Sequence, residues 1–227
     1  MSYQMILSKK NPFPKTVGAF IRIMFFTVLF VLQYCTPRAK SALLKNGDLL
    51  FVTAKDTGLS GAINNVTQKE KEASFDHIGI VETKNNHWYV LHAAPKGGSQ
   101  KQRLDDFLKD QSDDGQKVII YRLKPEYQKS VPAALKKAES MLGKPYNFNY
   151  ILDENSYYCS DYIERAFRES SIFKLEPMTF IDPKTGRTNE FWREFYKKKN
   201  LEVPEGQPGC NPNGLAASEK LERVGGL

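Results

Sequence analysis

After residue 46 the chain alternates between short apolar blocks and polar turns, with strand-like blocks first and helical spacing later. Asn46-Gly47-Asp48 is a turn signal, and Leu49-Leu50-Phe51-Val52 behind it predicts a buried strand, with Asp48 completing the turn. Leu59 to Val66 has the spacing of a short helix and leads into a polar loop rich in Lys and Glu. His77 to Val81 and Trp88 to Ala93 predict two strands separated by Lys84-Asn85-Asn86, hence a hairpin. Leu104 to Leu108 reads as a helical turn, and Lys117 to Leu123 as a further strand. From Val131 to Leu142 the pattern is helical and stops at Gly143. A second helix is predicted from Cys159 to Phe167, where Tyr162, Ile163 and Ala166 share one face. Beyond Pro177 the chain is rich in Pro, Gly and Asn, and only Glu190 to Lys197 has helical spacing. The class is α+β, a small antiparallel sheet packed with helices.

Composition changes this picture only at the N-terminus. Lys9, Lys10, Lys15 and Arg22 precede ten residues, Ile23 to Leu32, that are apolar except for Thr27. That arrangement has the form of an export signal, and the apolar run is too short to span a bilayer comfortably. Small residues at Ala39, Ser41 and Ala42 offer a cleavage region, so residues 1–41 are read as the export segment and 42–227 as the working domain. Cys35, at the border, gives an alternative lipid-anchored end, although bulky Tyr34 fits a lipoprotein site poorly; a retained membrane anchor is the third form. The expected location is the periplasm or cell envelope. Without those four cations the net charge falls from +7 to +3, too little to argue for nucleic acid as a partner. With 41% apolar and 12% aromatic residues the chain can bury an ordinary core.

Three cysteines and three histidines carry the candidate chemistry. Only Cys159 lies in a patterned segment, since Cys35 borders the export segment and Cys210 sits in a Pro/Gly/Asn-rich stretch. At the start of a helix, free N–H groups and the macrodipole lower a thiol pKa and can hold an oxyanion. His77 opens its strand, and an in-register hairpin brings it beside His92. A His oriented by a second polar group is the base half of a triad. Gly79 on the same face leaves room for a substrate or a loop. The plainer readings are a buried structural cysteine, hydrogen-bonded strand histidines and an exposed His87. A metal held by Cys159, His77 and His92 is chemically conceivable, but no closely spaced ligand pair supports it.

GDLLF (47–51), DHIGIV (76–81), WYVLHA (88–93), GKPYNF (143–148) and YYCSDYIERAF (157–167), in that order, resemble the YiiX-like branch of the permuted NlpC-type papain-like cysteine peptidases. PEGQPGCNPNG (204–214) is also similar to tails of that group. The resemblance implies a circularly permuted papain-like fold in which the histidine strand precedes the nucleophile helix. It implies Cys159 as nucleophile, His77 as base and His92 as the third residue, where relatives often carry Glu. Tyr146, Tyr158 and Trp88 are candidate cleft residues by position, although aromatics such as the Tyr157-Tyr158 pair and Trp88 more often serve the core than a substrate. The implied activity is hydrolysis of a peptide or isopeptide amide, such as a peptidoglycan stem, through a thioester and with neither metal nor organic cofactor. Two rivals stay open: a thiol-dependent lipid or ester acyl hydrolase or transferase, and an envelope binding module without catalysis.

Overall fold

The computed structural model describes residues 43–68, 73–113 and 115–227. The expected export segment, Cys35 and most of the Lys/Glu-rich loop lie outside these residues. Six strands form one antiparallel sheet: β1 (Leu49–Thr53), β2 (Phe75–Lys84), β3 (His87–Ala94), β4 (Gly98–Arg103), β5 (Val118–Leu123) and β10 (Leu221–Gly226). Their spatial order is β10-β5-β1-β2-β3-β4. Asn85 and Asn86, both at positive φ, make the predicted turn between β2 and β3.

Period two sends successive residues to opposite faces, and each face has its own core. On one face Leu49, Phe51, Ile78, Ile80 and Leu91 pack against helices α3 (Val131–Ser140) and α4 (Cys159–Phe167). On the other, Leu50, Val52, Val81 and Val90 pack against Leu104 and Phe107 of helix α2 (Leu104–Asp113). A third cluster joins Ala62 of helix α1 (Gly58–Thr67) to Trp192 and Tyr196 of helix α5 (Glu190–Lys198), with Tyr150, Tyr158 and Phe180 between them. Asp48 is structural, as read: buried, it accepts from Lys45 N–H and takes both arms of the Arg122 guanidinium at 2.7 Å.

Several elements depart from expectation. Strand β4 was not predicted, because GSQKQR has no apolar alternation; it is an edge strand whose pairing with β3 rests on backbone hydrogen bonds. Helix α3 ends at Ser140, and Gly143 turns the chain with φ 82° two residues past its cap. The C-terminal stretch carries more order than the predicted α5 alone. Two short strand pairs form, β6 (Glu176–Pro177) with β9 (Pro208–Gly209) and β7 (Ile181–Asp182) with β8 (Arg187–Thr188); helix α6 (Pro212–Ala216) and β10 follow.

The expected space above Gly79 is also filled. A Cβ there would lie 2.4 Å from Val90 Cγ1 and 3.2 Å from His92 Cβ. The missing side chain serves the β3 neighbours rather than a substrate. Gly79→Ala is therefore expected to destabilise the domain by about 1–3 kcal/mol through overpacking, read as a lower urea midpoint. An unchanged midpoint would show that β3 yields without cost.

Candidate active site

The β1–β2 ladder slips by one residue near its end. Val52 pairs with His77 but Thr53 pairs with Phe75, so Asp76 is an extra residue in β2. Such a bulge bends the strand and re-aims its side chains. Its carboxylate accepts from Gln116 Nε2 at 3.1 and 3.2 Å, and that amide also donates to Thr53 O, which ties the bulge to the start of β5.

Helix α4 brings Cys159 to this bulge. Cys159 is its first residue, 5% exposed, and the N-cap Tyr158 leaves the first turn without a side-chain cap. The thiol donates to Asp76 O at 3.7 Å. Burial, with the Asp76 charge second, pushes the thiol up to about 12, against the pull of Ser160 N–H, the Tyr146 hydroxyl and Ile78 N–H. The sulfur thus rests against the peptide groups on both sides of His77, Asp76 C=O and Ile78 N–H.

The two histidines meet as the hairpin reading anticipated. His77 Nε2 and His92 Nδ1 are 2.9 Å apart. Phe107 of α2 holds both rings, stacked on His77 with centroids 6.1 Å apart and edge-on to His92 at 5.2 Å. Burial, followed by the neighbouring His92, lowers His77 to about 3. Burial likewise lowers His92 to about 4, against the pull of Gln102 and Asp110. Both imidazoles are therefore neutral at working pH. With the thiol raised, the expected resting thiolate does not form; desolvation outweighs the helix N-terminus.

Two cavities flank this arrangement. One, of about 640 Å³, is lined by Cys159 and by Val66, Tyr158, Met178, Phe180 and Trp192. The other, of about 660 Å³, is lined by His77 and His92 and by Gln100, Gln102 and Asp110. Ile63, Asp76, Tyr146 and Tyr150 line both. The imidazole that would act as base and the thiol are thus approached from different cavities that share a wall.

Of the predicted cleft residues, Tyr146 stands beside the thiol and its hydroxyl receives the Cys159 N–H. Tyr158 lines the first cavity and accepts from Cys210 N–H at 3.4 Å. Trp88 is a correction: it packs against the Leu50 and Val90 core and lines neither cavity. It shares the face of His92, but four residues of strand put it roughly 13 Å further along. The tail does reach the site, since Ser160 Oγ donates to Cys210 O at 3.1 Å and Cys210 and Leu215 line the first cavity. Cys159 and Cys210 are both free thiols. Sequence reading missed Tyr150, Gln102 and Asp110, whose only signal was polarity or aromaticity in unpatterned stretches. Among the described residues, no group of three His, Cys, Asp or Glu side chains is placed to hold a metal ion.

Comparison with known proteins agrees with this architecture. The structure of YiiX from Escherichia coli O157:H7, described there as a metalloprotein, superposes with a TM-score of 0.65 at 19% identity, covering 79% of this chain and 96% of that one. At that identity the likeness speaks for the fold. No curated protein matches the chain. The profile of the permuted papain-like amidases, the YaeF/YiiX or C92 peptidase family, matches residues 43–225. The chain belongs to that family of permuted papain-like cysteine amidases.

Proposed function

We propose that this protein is an exported amidase that cleaves a peptide or isopeptide amide, with peptidoglycan stems as the substrate class, using Cys159 as nucleophile and His77 as base. The observation that carries the reading is the convergence of Cys159 and the His77–His92 pair on the Asp76 bulge, at the wall between two cavities. An amide lying across that wall has its acyl part against the aromatic cavity and its amine part in the polar one. Export is supported by the basic and apolar run of residues 9–32. No helix among the described residues is long and apolar enough to cross a membrane.

The mechanism starts from neutral groups. His77 Nε2 is engaged by His92, which leaves Nδ1 for the thiol. The resting thiol is hydrogen-bonded to Asp76 O and not to His77. The reaction therefore requires Sγ–H to leave that carbonyl and come within reach of Nδ1 as substrate binds. The proton passes to Nδ1 as sulfur attacks the carbonyl, so thiolate and imidazolium need not accumulate beforehand. Cys159 N–H and the Tyr146 hydroxyl, which lie together beside the sulfur, are the donors this mechanism assigns to the oxyanion. The leaving amine takes the proton from Nδ1, and water activated by the same nitrogen then hydrolyses the thioester. His92 orients the base without supplying a fixed charge. A second reading, acyl transfer on an ester or lipid, is favoured by the apolar wall of Val66, Met178, Phe180 and Trp192.

Turnover is tested with N-acyl peptide anilides, muropeptides and acyl esters. Cys159→Ala and His77→Ala are each expected to lower kcat/KM by at least about 10³-fold on the true substrate class. Turnover of esters alone would select the second reading, and retained turnover in Cys159→Ala would remove the nucleophile assignment. Peptide-resolved iodoacetamide labelling checks the resting state: labelling of Cys159 is expected to be slow at pH 7 and to rise only at alkaline pH. A fast plateau below pH 8.5 would mean that an ion pair exists at rest.

The imidazoles also make stability depend on pH. Both have folded-state pKa values below 6.5, so below about 6.5 the unfolded chain binds protons that the folded chain refuses. Their contribution is complete above 6.5 and is lost as pH falls toward 4 and then 3. Asp161, raised by burial to about 6, acts in the opposite sense as pH falls below 6. The fall in Tm between pH 7 and pH 5 is expected to be larger in the wild type than in His77→Gln/His92→Gln. Equal falls would contradict neutral imidazoles.

A further inference from the structure

The His77–His92 contact at 2.9 Å does not by itself say which ring donates. As a base, His77 must keep the lone pair on Nδ1, so its proton must sit on Nε2. His92 Nδ1 must then accept, and the His92 proton must sit on Nε2. That Nε2 is buried, without a hydrogen-bond partner, in a residue only 3% exposed that lines the polar cavity. Something must favour a proton there.

The neighbours narrow the choice. Gln100, directly across from His92 on β4, turns its amide away and donates to Lys96 O at 2.7 Å. Gln102 lies two residues along, a diagonal neighbour within reach. Its Nε2 donates to Asp110 Oδ2 at 2.7 Å. The bond to the carboxylate uses one of the two Gln102 N–H groups and orients the amide. The upward pull of Gln102 on His92 fits its carbonyl oxygen, rather than the second N–H, facing that ring. Asp110 follows Phe107 by three residues on α2, so the helix face that holds both rings also carries the carboxylate.

We infer that Asp110, acting through Gln102, is a positioning residue that sets the direction of the whole relay. The carboxylate fixes the Gln102 amide, and its Oε1 receives His92 Nε2–H. His92 Nδ1 is then an acceptor, His77 Nε2–H its donor, and His77 Nδ1 the free base. When Nδ1 takes the thiol proton, the positive charge on the pair faces the amide dipole and the Asp110 carboxylate behind it. The pair thereby regains an anionic end that an imidazole in third position does not supply. The use of this order in turnover rests on the amidase reading; the order itself does not. The other titratable or charged groups lining the cavity that His92 faces are Lys55, Asp76, His77, Lys96, Tyr146 and Tyr150.

Nitrogen-15 NMR of ring-labelled histidine tests the inference without a substrate. In the wild type both His77 and His92 are expected as the Nε2–H tautomer. In Gln102→Leu and Asp110→Asn, His92 is expected to shift toward Nδ1–H, with His77 following, while Gln102→Glu keeps Nε2–H. Where turnover is measurable, Asp110→Asn is expected to lower kcat roughly 10-fold with KM unchanged, less than loss of a general base, and to shift the acidic limb of the pH profile. Gln102→Glu is expected to retain kcat. An Nδ1–H His92 in the wild type, or an unchanged tautomer in both Gln102→Leu and Asp110→Asn, would overturn the inference. Unchanged kcat in Asp110→Asn would remove its role in turnover. If no amide is cleaved by the wild type, the tautomers still decide the proton order.

Discussion

The extra residue at Asp76 is the constraint on which the site depends. Strict alternation along β2 would put Phe75 on the face of His77, yet Phe75 lies with Ile78 and Ile80 in the core beneath α3 and α4. The bulge reconciles the two. It keeps Phe75 and Ile78 in one core, leaves His77 on the opposite face against Phe107, and presents the Asp76 carbonyl to the thiol. A regular strand could not offer the imidazole to one cavity and its backbone to the other. The ties of the Asp76 carboxylate to Gln116, and of Gln116 to Thr53, hold the irregularity in place.

Burial governs the electrostatics of what this bulge assembles. The sulfur has several donors around it and begins a helix, which would ordinarily favour a thiolate. Desolvation opposes the charge more strongly, and the same holds for both imidazoles. A neutral resting pair has a chemical advantage. On the proposed mechanism the base is unprotonated over a wide pH range, and charge appears only with the substrate in place, where helix N–H groups can meet it. On the same proposal, selectivity for substrate lies in the cavities, one walled by aromatic and aliphatic side chains and the other by amides and carboxylates.

Much of the site was legible in the sequence because it rests on local rules. Asn85-Asn86 sets the hairpin turn, the turn sets the register, and the register makes neighbours of His77 and His92. Helical spacing after Tyr158 places Cys159 in a first turn. The same rules misled where a face is longer than a site: Trp88 shares the side of His92 but belongs to the core near the hairpin end. Gly79 signalled close approach correctly, yet the approaching groups are Val90 and His92.

By itself, then, the sequence determined most of the main elements and the hairpin register, which follow from spacing, turn chemistry and period along a continuous stretch. The choice of Cys159 and His77 as candidates leaned on the family resemblance. Only the tertiary structure decided the bulge, the pairing of polar β4, the placing of Gln102 and Asp110 behind His92, and the neutral state of the site. Those depend on groups distant in the chain and on how much water their packing excludes. Neither quantity is written in the periodicity of any one segment.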